Sequence, residues 1–355
     1  MAKTVRMALV GAGGYAAVNV IPYLRNDRNI RVVAVCDVNQ ELARKAADTL
    51  GAERITADLG EVLARPDIDM VELQTPNYLH ARQAIAAFKA GKHVFSQKPM
   101  ARTIAEAKAM IRAGREAHRL LGIYMDGYND PFHWDIKRAV KAGLIGRPVN
   151  FRIRYAHQGG LALKGGAWRQ SARQVGGGCY LLLIVHLVNA VAWFMDTRVT
   201  CVTGFMKTLM ADMEGDDSTA GALELANGLI GPTDASYVAA GSNDIPNTVL
   251  ELRGTDGALR HQRDDGILYV YSKKKTFRGK GFVYDQPGTT MRFLRDVHDY
   301  RHPSVHEQFA AAILGGKPYV CPGEMGLHDL AVCLAMEKSA KTGRAIDLDK
   351  FIGKI

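Results

Sequence analysis

Gly11-Ala12-Gly13-Gly14-Tyr15-Ala16 is the stretch that decides the fold. It fits G-x-G-x-x-G/A, a pattern that is weak alone and strong in the right surroundings. Residues 5–10, ahead of it, form a short apolar run that reads as a strand. Residues 16–24, behind it, carry apolar positions at helical spacing. The next β-branched run, residues 31–36, ends at Asp37, 24 positions after Gly13. That is close to the spacing of about 20 expected for an acid that binds a ribose. The glycines let the backbone turn tightly and approach a pyrophosphate, and the helix N-terminus adds N–H donors and partial positive charge. Asp37 would accept hydrogen bonds from the adenosine ribose hydroxyls and repel a 2′-phosphate, and Val38 follows where an NADP enzyme often carries Arg or Ser. The stretch predicts a Rossmann domain that takes NAD(H) in preference to NADP(H).

The alternation continues downstream. Helical spacing over residues 41–50 is closed by Gly51, a strand over residues 69–75 stops at Pro76, and a helix over residues 79–90 stops at Gly91, a good residue just past a helix end. A strand over residues 93–96 and an alanine-rich helix over residues 103–118 follow, the latter opened by Thr103 and Glu106 in capping-box spacing. Alternating strands and helices imply a doubly wound parallel sheet. After Gly122 the texture changes. Residues 149–155, 199–206, 221–225, 235–238, 248–253 and 267–270 read as strands joined by Gly, Asp and Asn turns. Helices are expected over residues 135–142, 180–194 and 327–341, with another capped by Ser304 and Glu307. The expected organisation is α/β followed by α+β: a NAD-binding domain over residues 1–123 and a substrate and oligomerisation domain over residues 124–355. The latter is built on a mostly antiparallel open sheet, with the last helix, 327–342, packing back on the first domain.

The 355 residues suffice for two domains. With 47% hydrophobic and 23% charged residues the chain has the composition of a globular protein. No stretch reads as long and apolar enough to span a bilayer, since residues 179–194 are interrupted by His186 and Asn189. The start of the chain imitates a signal peptide, but its apolar part is short and runs into the glycine turn. A cytoplasmic protein is expected. Cys36, Cys179, Cys201, Cys321 and Cys333 are odd in number and never spaced C-x-x-C, which argues against a disulfide framework or structural zinc. The net charge of +10 is spread over the chain. Its only dense run, Lys273-Lys274-Lys275, is expected on a hairpin turn, so nucleic-acid binding is not indicated. His298, His302 and His306 recur every fourth residue, but Pro303 prevents one helix through them and no ligand-spaced carboxylate accompanies them; no metal is expected.

Further motifs resemble one family. Thr75-Pro76-Asn77 with His80, and Ala90-Gly91-Lys92-His93-Val94 running into Gln97-Lys98-Pro99, resemble the Gfo/Idh/MocA oxidoreductases, relatives of glucose–fructose oxidoreductase and inositol dehydrogenase. Trp168-Arg169, Gly176-Gly177-Gly178 with His186, and the ending from Gly323 to Leu348 resemble the same family, so nearly the whole chain is covered. The resemblance implies that Gly11, Gly13, Gly14, Tyr15, Asp37, Val38, Thr75, Pro76, Asn77, His80, Gln97, Lys98, Trp168 and Arg169 serve the cofactor. Lys98 matches the lysine that contacts substrate hydroxyl and nicotinamide ribose. A lysine there can polarise a hydroxyl, and desolvation lowers a lysine's pKa towards neutrality. Gln97 stands where the family pattern has Glu. Tyr155 and His157, at the end of a strand entering the glycine-rich loop 159–178, are candidate substrate contacts.

A larger departure lies at Leu182, where the pattern Gly-Gly-Gly-x-x-x-Asp-x-Gly-x-His has its acid. His186 is kept, one helical turn away. Three readings follow. His186 serves alone as acid and base, its ordinary pKa of about 6.5 suiting the work. A group from elsewhere, with Tyr155 and His157 as candidates, substitutes. Or ordinary dehydrogenation is weak and the chemistry is less usual. The favoured function is an NAD(H)-dependent oxidoreductase acting on a secondary hydroxyl or keto carbon of a sugar, sugar acid, cyclitol or glycoside. The alternatives are a tightly NAD-bound lyase, hydrolase or epimerase, and a non-catalytic NAD-binding regulator. By resemblance a homodimer or homotetramer is expected.

Overall fold

The computed structural model describes residues 4–158, 167–210, 212–240, 246–263, 265–295 and 303–354. Part of the glycine-rich loop, and His298 and His302, lie outside them. The chain divides into two compact units, Met1–Asp126 with Pro303–Leu327, and Gly127–His302 with His328–Lys354.

The first unit holds six parallel strands: β1 (Val5–Val10), β2 (Ile30–Cys36), β3 (Arg54–Thr56), β4 (Met70–Leu73), β5 (His93–Gln97) and β6 (Leu121–Tyr124). Their order is β3-β2-β1-β4-β5-β6, which reverses direction at β1 and β4 and opens a crevice at the strands' C-terminal ends. β1 and β4 are buried along almost their whole length, as strands covered on both faces must be. The helices α1 (Gly14–Asn19), α2 (Ile21–Arg25), α3 (Gln40–Leu50), α4 (Leu59–Leu63), α5 (Asn77–Lys89) and α6 (Ile104–Glu116) alternate with the strands. Asn39 caps α3 by accepting from Glu41 and Leu42 N–H, and Gly51 ends it at φ +67°.

Three details differ from expectation. The helix read over residues 16–24 is broken at Val20 (φ −120°) into α1 and α2; Pro22 has no N–H to continue the ladder and starts a new helix instead. The short elements β3, α4 and β6 carry too few periodic residues to stand out in sequence. At α6, Thr103 accepts from Glu106 N–H, but the Glu106 carboxylate turns to the backbone N–H and guanidinium of Arg102, so the box closes one residue early. At Val305–Ile313 the Ser304–Glu307 box is complete.

The second unit is built on nine strands: β7 (Pro148–Ala156), β8 (Val199–Lys207), β9 (Ser218–Leu225), β10 (Ile230–Ser236), β11 (Thr248–Gly254), β12 (Gly257–Gln262), β13 (Ile267–Ser272), β16 (Met291–Leu294) and β17 (Ile346–Asp347), with β14 (Phe277–Arg278) and β15 (Val283–Tyr284) forming a separate pair. The order is β16-β13-β12-β11-β7-β10-β9-β8-β17. Every pairing is antiparallel except β7 with β10. Expected strands recur at β7, β8, β9, β11 and β13. β12 is not legible in sequence because its buried residues include His261 and Gln262, both 1% exposed. β10 starts earlier than expected because Gly231-Pro232 reads as a turn. The run Lys273-Lys274-Lys275 is exposed but joins strands of two different sheets, so it is not a hairpin turn.

The helix α7 (Pro131–Lys141) is capped by Asp130. The central apolar stretch begins with α8 (Ala172–Val175), continues in a π-helical turn over Tyr180–Ile184 and ends in α9 (Val185–Phe194). The span Ala172–Phe194 is long and apolar enough to cross a membrane, contrary to the sequence reading. However, 83% of its most apolar window is buried inside the fold, which is the pattern of a core helix. The remaining helices are α10 (Val305–Ile313), α11 (Gly323–Thr342) and α12 (Leu348–Ile352).

Candidate active site

The glycine turn follows β1 and precedes α1. Gly11 has φ +97°, and a Cβ there would meet Gln74 O at 2.6 Å, so only glycine fits. Around Gly13 and Gly14 a Cβ would meet nothing within 4 Å: the turn faces open space, as a cradle for a pyrophosphate must. Asp37, at the end of β2, accepts from Ala12 N–H through Oδ2 at 2.6 Å and from Asn39 N–H through Oδ1 at 2.8 Å. The acid therefore ties the second strand to the glycine turn, and each oxygen keeps a further lone pair for a ribose hydroxyl. Val38 is 88% exposed and offers no cation to a 2′-phosphate. These residues fit a dinucleotide. Tyr15 packs edge-on against Tyr124, ring centroids 6.3 Å apart.

Two loops form the other side of the crevice. Pro76 precedes the first turn of α5, Asn77 is buried in that turn, and Thr75 Oγ1 donates to Gln83. His80 is fully buried. Its Nε2 lies 2.7 Å from Thr75 O and its Nδ1 3.1 Å from Pro99 O, and burial holds its pKa below the usual histidine range. It staples the Thr75 loop to the Lys98–Pro99 loop. Gln97 ends β5, its Oε1 accepting from Lys98 N–H at 2.8 Å. Lys98 follows, half-buried, at a strand end in a fold whose ligands bind at strand ends.

In the second unit Tyr155, His157 and His186 come together. The Tyr155 ring is 6.0 Å from His157 and 6.4 Å from His186. Tyr237, which the sequence did not single out, lies 5.1 Å from His157; burial pushes its phenol up and the nearby Arg169 pulls it back. Trp168 and Arg169 lie in a 3-10 turn, the guanidinium 5.2 Å from the indole. Leu182 and His186 are 9% and 8% exposed, the most open positions between Cys179 and Ala190. Both side chains are buried, the leucine one turn from the histidine. The π turn between them is an irregularity often found at functional sites. Asp216, which meets the start of this helix, is engaged with Cys179 Sγ, Tyr180 N–H and Thr219 Oγ1.

Asp130, His133 and His261 present ligand-type atoms within 4.8 Å of one another, a gathering the sequence did not reveal. The Asp130 carboxylate already caps α7 through Phe132 N–H and accepts from Arg295 at 3.2 Å. The guanidinium supplies the countercharge there. His306 belongs to the first unit, where it is buried against Glu72.

Comparison with known proteins bears on the family and the fold. The family model "Oxidoreductase family, NAD-binding Rossmann fold" matches residues 5–125 and the "GFO/IDH/MocA C-terminal domain" matches residues 133–260. The chain is 28% identical over 345 residues to 1,5-anhydro-D-fructose reductase of Ensifer adhaerens, covering 97% of this chain and 98% of that one. It is 25% identical over 358 residues to scyllo-inositol 2-dehydrogenase (NAD(+)) of Bacillus subtilis, covering 98% of each. The solved structure of levoglucosan dehydrogenase with NADH and levoglucosan superposes with a TM-score of 0.82 at 22% identity, over 98% of this chain and 100% of that one, a likeness of fold. The NAD-binding Rossmann domain and the C-terminal sheet domain are those of one family, and this chain belongs to the Gfo/Idh/MocA oxidoreductases.

Proposed function

We propose that the protein is an NAD(H)-dependent oxidoreductase that interconverts a secondary hydroxyl and a keto carbon on a sugar, sugar acid, cyclitol or glycoside. The observation that carries this is Lys98 at the end of β5, in the same Rossmann unit as a glycine cradle and an Asp37 suited to an unphosphorylated ribose. NAD held by the glycine turn and Asp37 would supply the hydride acceptor or donor. Lys98 polarises the substrate oxygen, and His186 exchanges the proton, with Tyr155 and His157 contacting substrate. Gly11, Gly13, Gly14, Tyr15, Asp37, Val38, Thr75, Pro76, Asn77, His80, Gln97, Trp168 and Arg169 serve the cofactor. Leu182 stands where the family pattern has its acid, so the acid–base work falls to the histidine. The lyase and regulator readings are not favoured by the relatives, whose names are reductases and dehydrogenases of sugars and inositols.

Residues 1–123 form the cofactor domain in this reading and residues 124–355 the substrate domain. A homodimer or homotetramer forms through the open face of the nine-stranded sheet. That face carries Phe205, 75% exposed and paired in register with Ala220, and Ile230, 62% exposed. No nucleic acid or membrane takes part, and five cysteines without a disulfide suit the cytoplasm. The test is NAD reduction across sugars, sugar acids, inositols and glycosides. Silence over the whole panel with NAD still bound would sink the dehydrogenase reading.

A further inference from the structure

A chain of side-chain hydrogen bonds runs from the backbone of Lys98 into the core of the Rossmann unit. Lys98 N–H donates to Gln97 Oε1 at 2.8 Å, and Gln97 Nε2 donates to Gln74 Oε1 at 2.8 Å. Gln74 Nε2 donates to Glu72 Oε1 at 2.8 Å. The two Glu72 oxygens then lie 3.0 and 3.1 Å from His306 Nε2. Glu72 and His306 are both 0% exposed and Gln97 is 8% exposed. The His306 ring is held between Phe95 and Tyr124, at 5.5 and 5.4 Å, on a helix whose N-terminus is locked by the Ser304–Glu307 box.

The direction of this chain is set by its end. A carboxylate only accepts. Glu72 therefore turns the Gln74 amide so that its NH2 faces inward and its oxygen faces Gln97. The same constraint turns Gln97 so that its oxygen faces Lys98 N–H. A buried carboxylate with no partner is costly, so His306 is needed for Glu72 to stay in place. An acid at position 97 would set its oxygen against Gln74 Oε1, so Glu72 and Gln97 depend on each other.

We infer that Glu72 and His306 are positioning residues for Lys98, acting through the oriented amides of Gln74 and Gln97. This rests on the reading of Lys98 as the group that polarises the substrate oxygen. The chain also accounts for Gln97 in a place where the family pattern has Glu. The acid stands two amides deeper, at Glu72.

The test is a double-mutant cycle on the full chain, with kcat, KM for NAD and thermal unfolding read for each variant. Glu72→Gln and Gln97→Glu each leave one amide facing the wrong way, and each is expected to lower kcat about 10- to 100-fold, while for Glu72→Gln, which lies outside the cofactor set, KM for NAD changes less than about twofold. In the double variant the whole chain reverses. The carboxylate, now at position 97, accepts from Lys98 N–H and from the Gln74 amide. The Gln74 oxygen accepts from the new amide at position 72, whose own oxygen accepts from His306. The kcat of the double variant is expected to exceed the product of the two single losses by about tenfold or more. Single variants with wild-type kcat, or losses that simply multiply in the double variant, overturn the inference. Should Glu72→Gln fail to fold, Gln74→Met cuts the chain without leaving a charge, and wild-type kcat there overturns the inference equally. Lys98→Met in the same panel separates the two claims. Turnover that survives Lys98→Met refutes the reading of Lys98 itself. A dead Lys98→Met beside fully active network variants refutes the positioning role alone.

Discussion

Leu182 and His186 sit one turn apart on a buried helix, at 9% and 8% exposure, and the leucine can neither orient the histidine nor hydrogen-bond a substrate hydroxyl. In the proposed reading the substrate side therefore has fewer polar groups than a pair of acid and histidine would supply.

Leu182→Asp tests what the leucine selects. A carboxylate in this apolar turn costs about 1–3 kcal/mol of stability, seen as a lower Tm. It also offers an acceptor to a substrate hydroxyl, so the ratio of kcat/KM for a polyol over its deoxy analogue is expected to rise by about tenfold or more. An unchanged ratio removes Leu182 from substrate choice.

Asp37 accepts from Ala12 N–H at 2.6 Å and from Asn39 N–H at 2.8 Å, and in the proposed reading it also accepts from the ribose. Asp37→Asn removes the charge but keeps one acceptor oxygen. KM for NAD is expected to rise about 10- to 100-fold, the loss of charge-assisted hydrogen bonds, while the preference for NAD over NADP narrows. Steady-state kinetics with both cofactors decides, and an unaltered preference would place discrimination elsewhere.

Lys98→Met and His186→Gln separate binding from chemistry. Each is expected to lower kcat by about 10²- to 10⁴-fold, the usual range for a lost acid–base group. NAD affinity, followed by quenching of tryptophan fluorescence, stays within about threefold of wild type for His186→Gln. A kcat loss in neither variant would move the chemistry to other residues.

Gly11→Ala tests the turn. At φ +97° with a Cβ 2.6 Å from Gln74 O, alanine must displace the backbone that leads into Thr75. The expected loss is about 2–4 kcal/mol of unfolding free energy together with weaker NAD binding. Urea unfolding and NAD titration read the two effects, and Gly13→Ala, with space around it, should lose NAD affinity with little loss of stability.

His93 makes the first unit sensitive to acid. Its Nδ1 accepts from Leu120 N–H at 3.0 Å, which requires an unprotonated nitrogen. Burial first, and then the Arg119 guanidinium, lower its pKa to about 4. Between about 4 and the ordinary histidine value of about 6.5 the unfolded chain binds more protons than the folded one. The stabilisation is therefore complete above about pH 6.5 and is lost as pH falls to about 4, roughly 1–3 kcal/mol after allowance for partial exposure. Urea melts at pH 7 and pH 4.5 measure it, and His93→Gln, which keeps an acceptor for Leu120, should flatten the slope.

Much of the cofactor half is legible in sequence because its signals are local. A glycine turn between a strand and a helix, an acid at the next strand end, and a lysine before a proline each declare themselves within a few residues. Periodicity and capping residues mark most helices, and the change of texture after Gly122 marks the mixed sheet. The Rossmann unit, the preference implied by Asp37 and the missing acid at Leu182 all follow from the order of residues. Which polar residues meet is settled in three dimensions. Glu72 and His306 are 234 positions apart, and no local pattern pairs a buried acid on one strand with a histidine that returns from the far end of the chain. Tyr237 beside His157, the π turn before His186, and the guanidinium of Arg295 on Asp130 are hidden for the same reason. Burial makes a polar group depend on a partner, and that partner is chosen by packing in space, where distance along the chain carries no information.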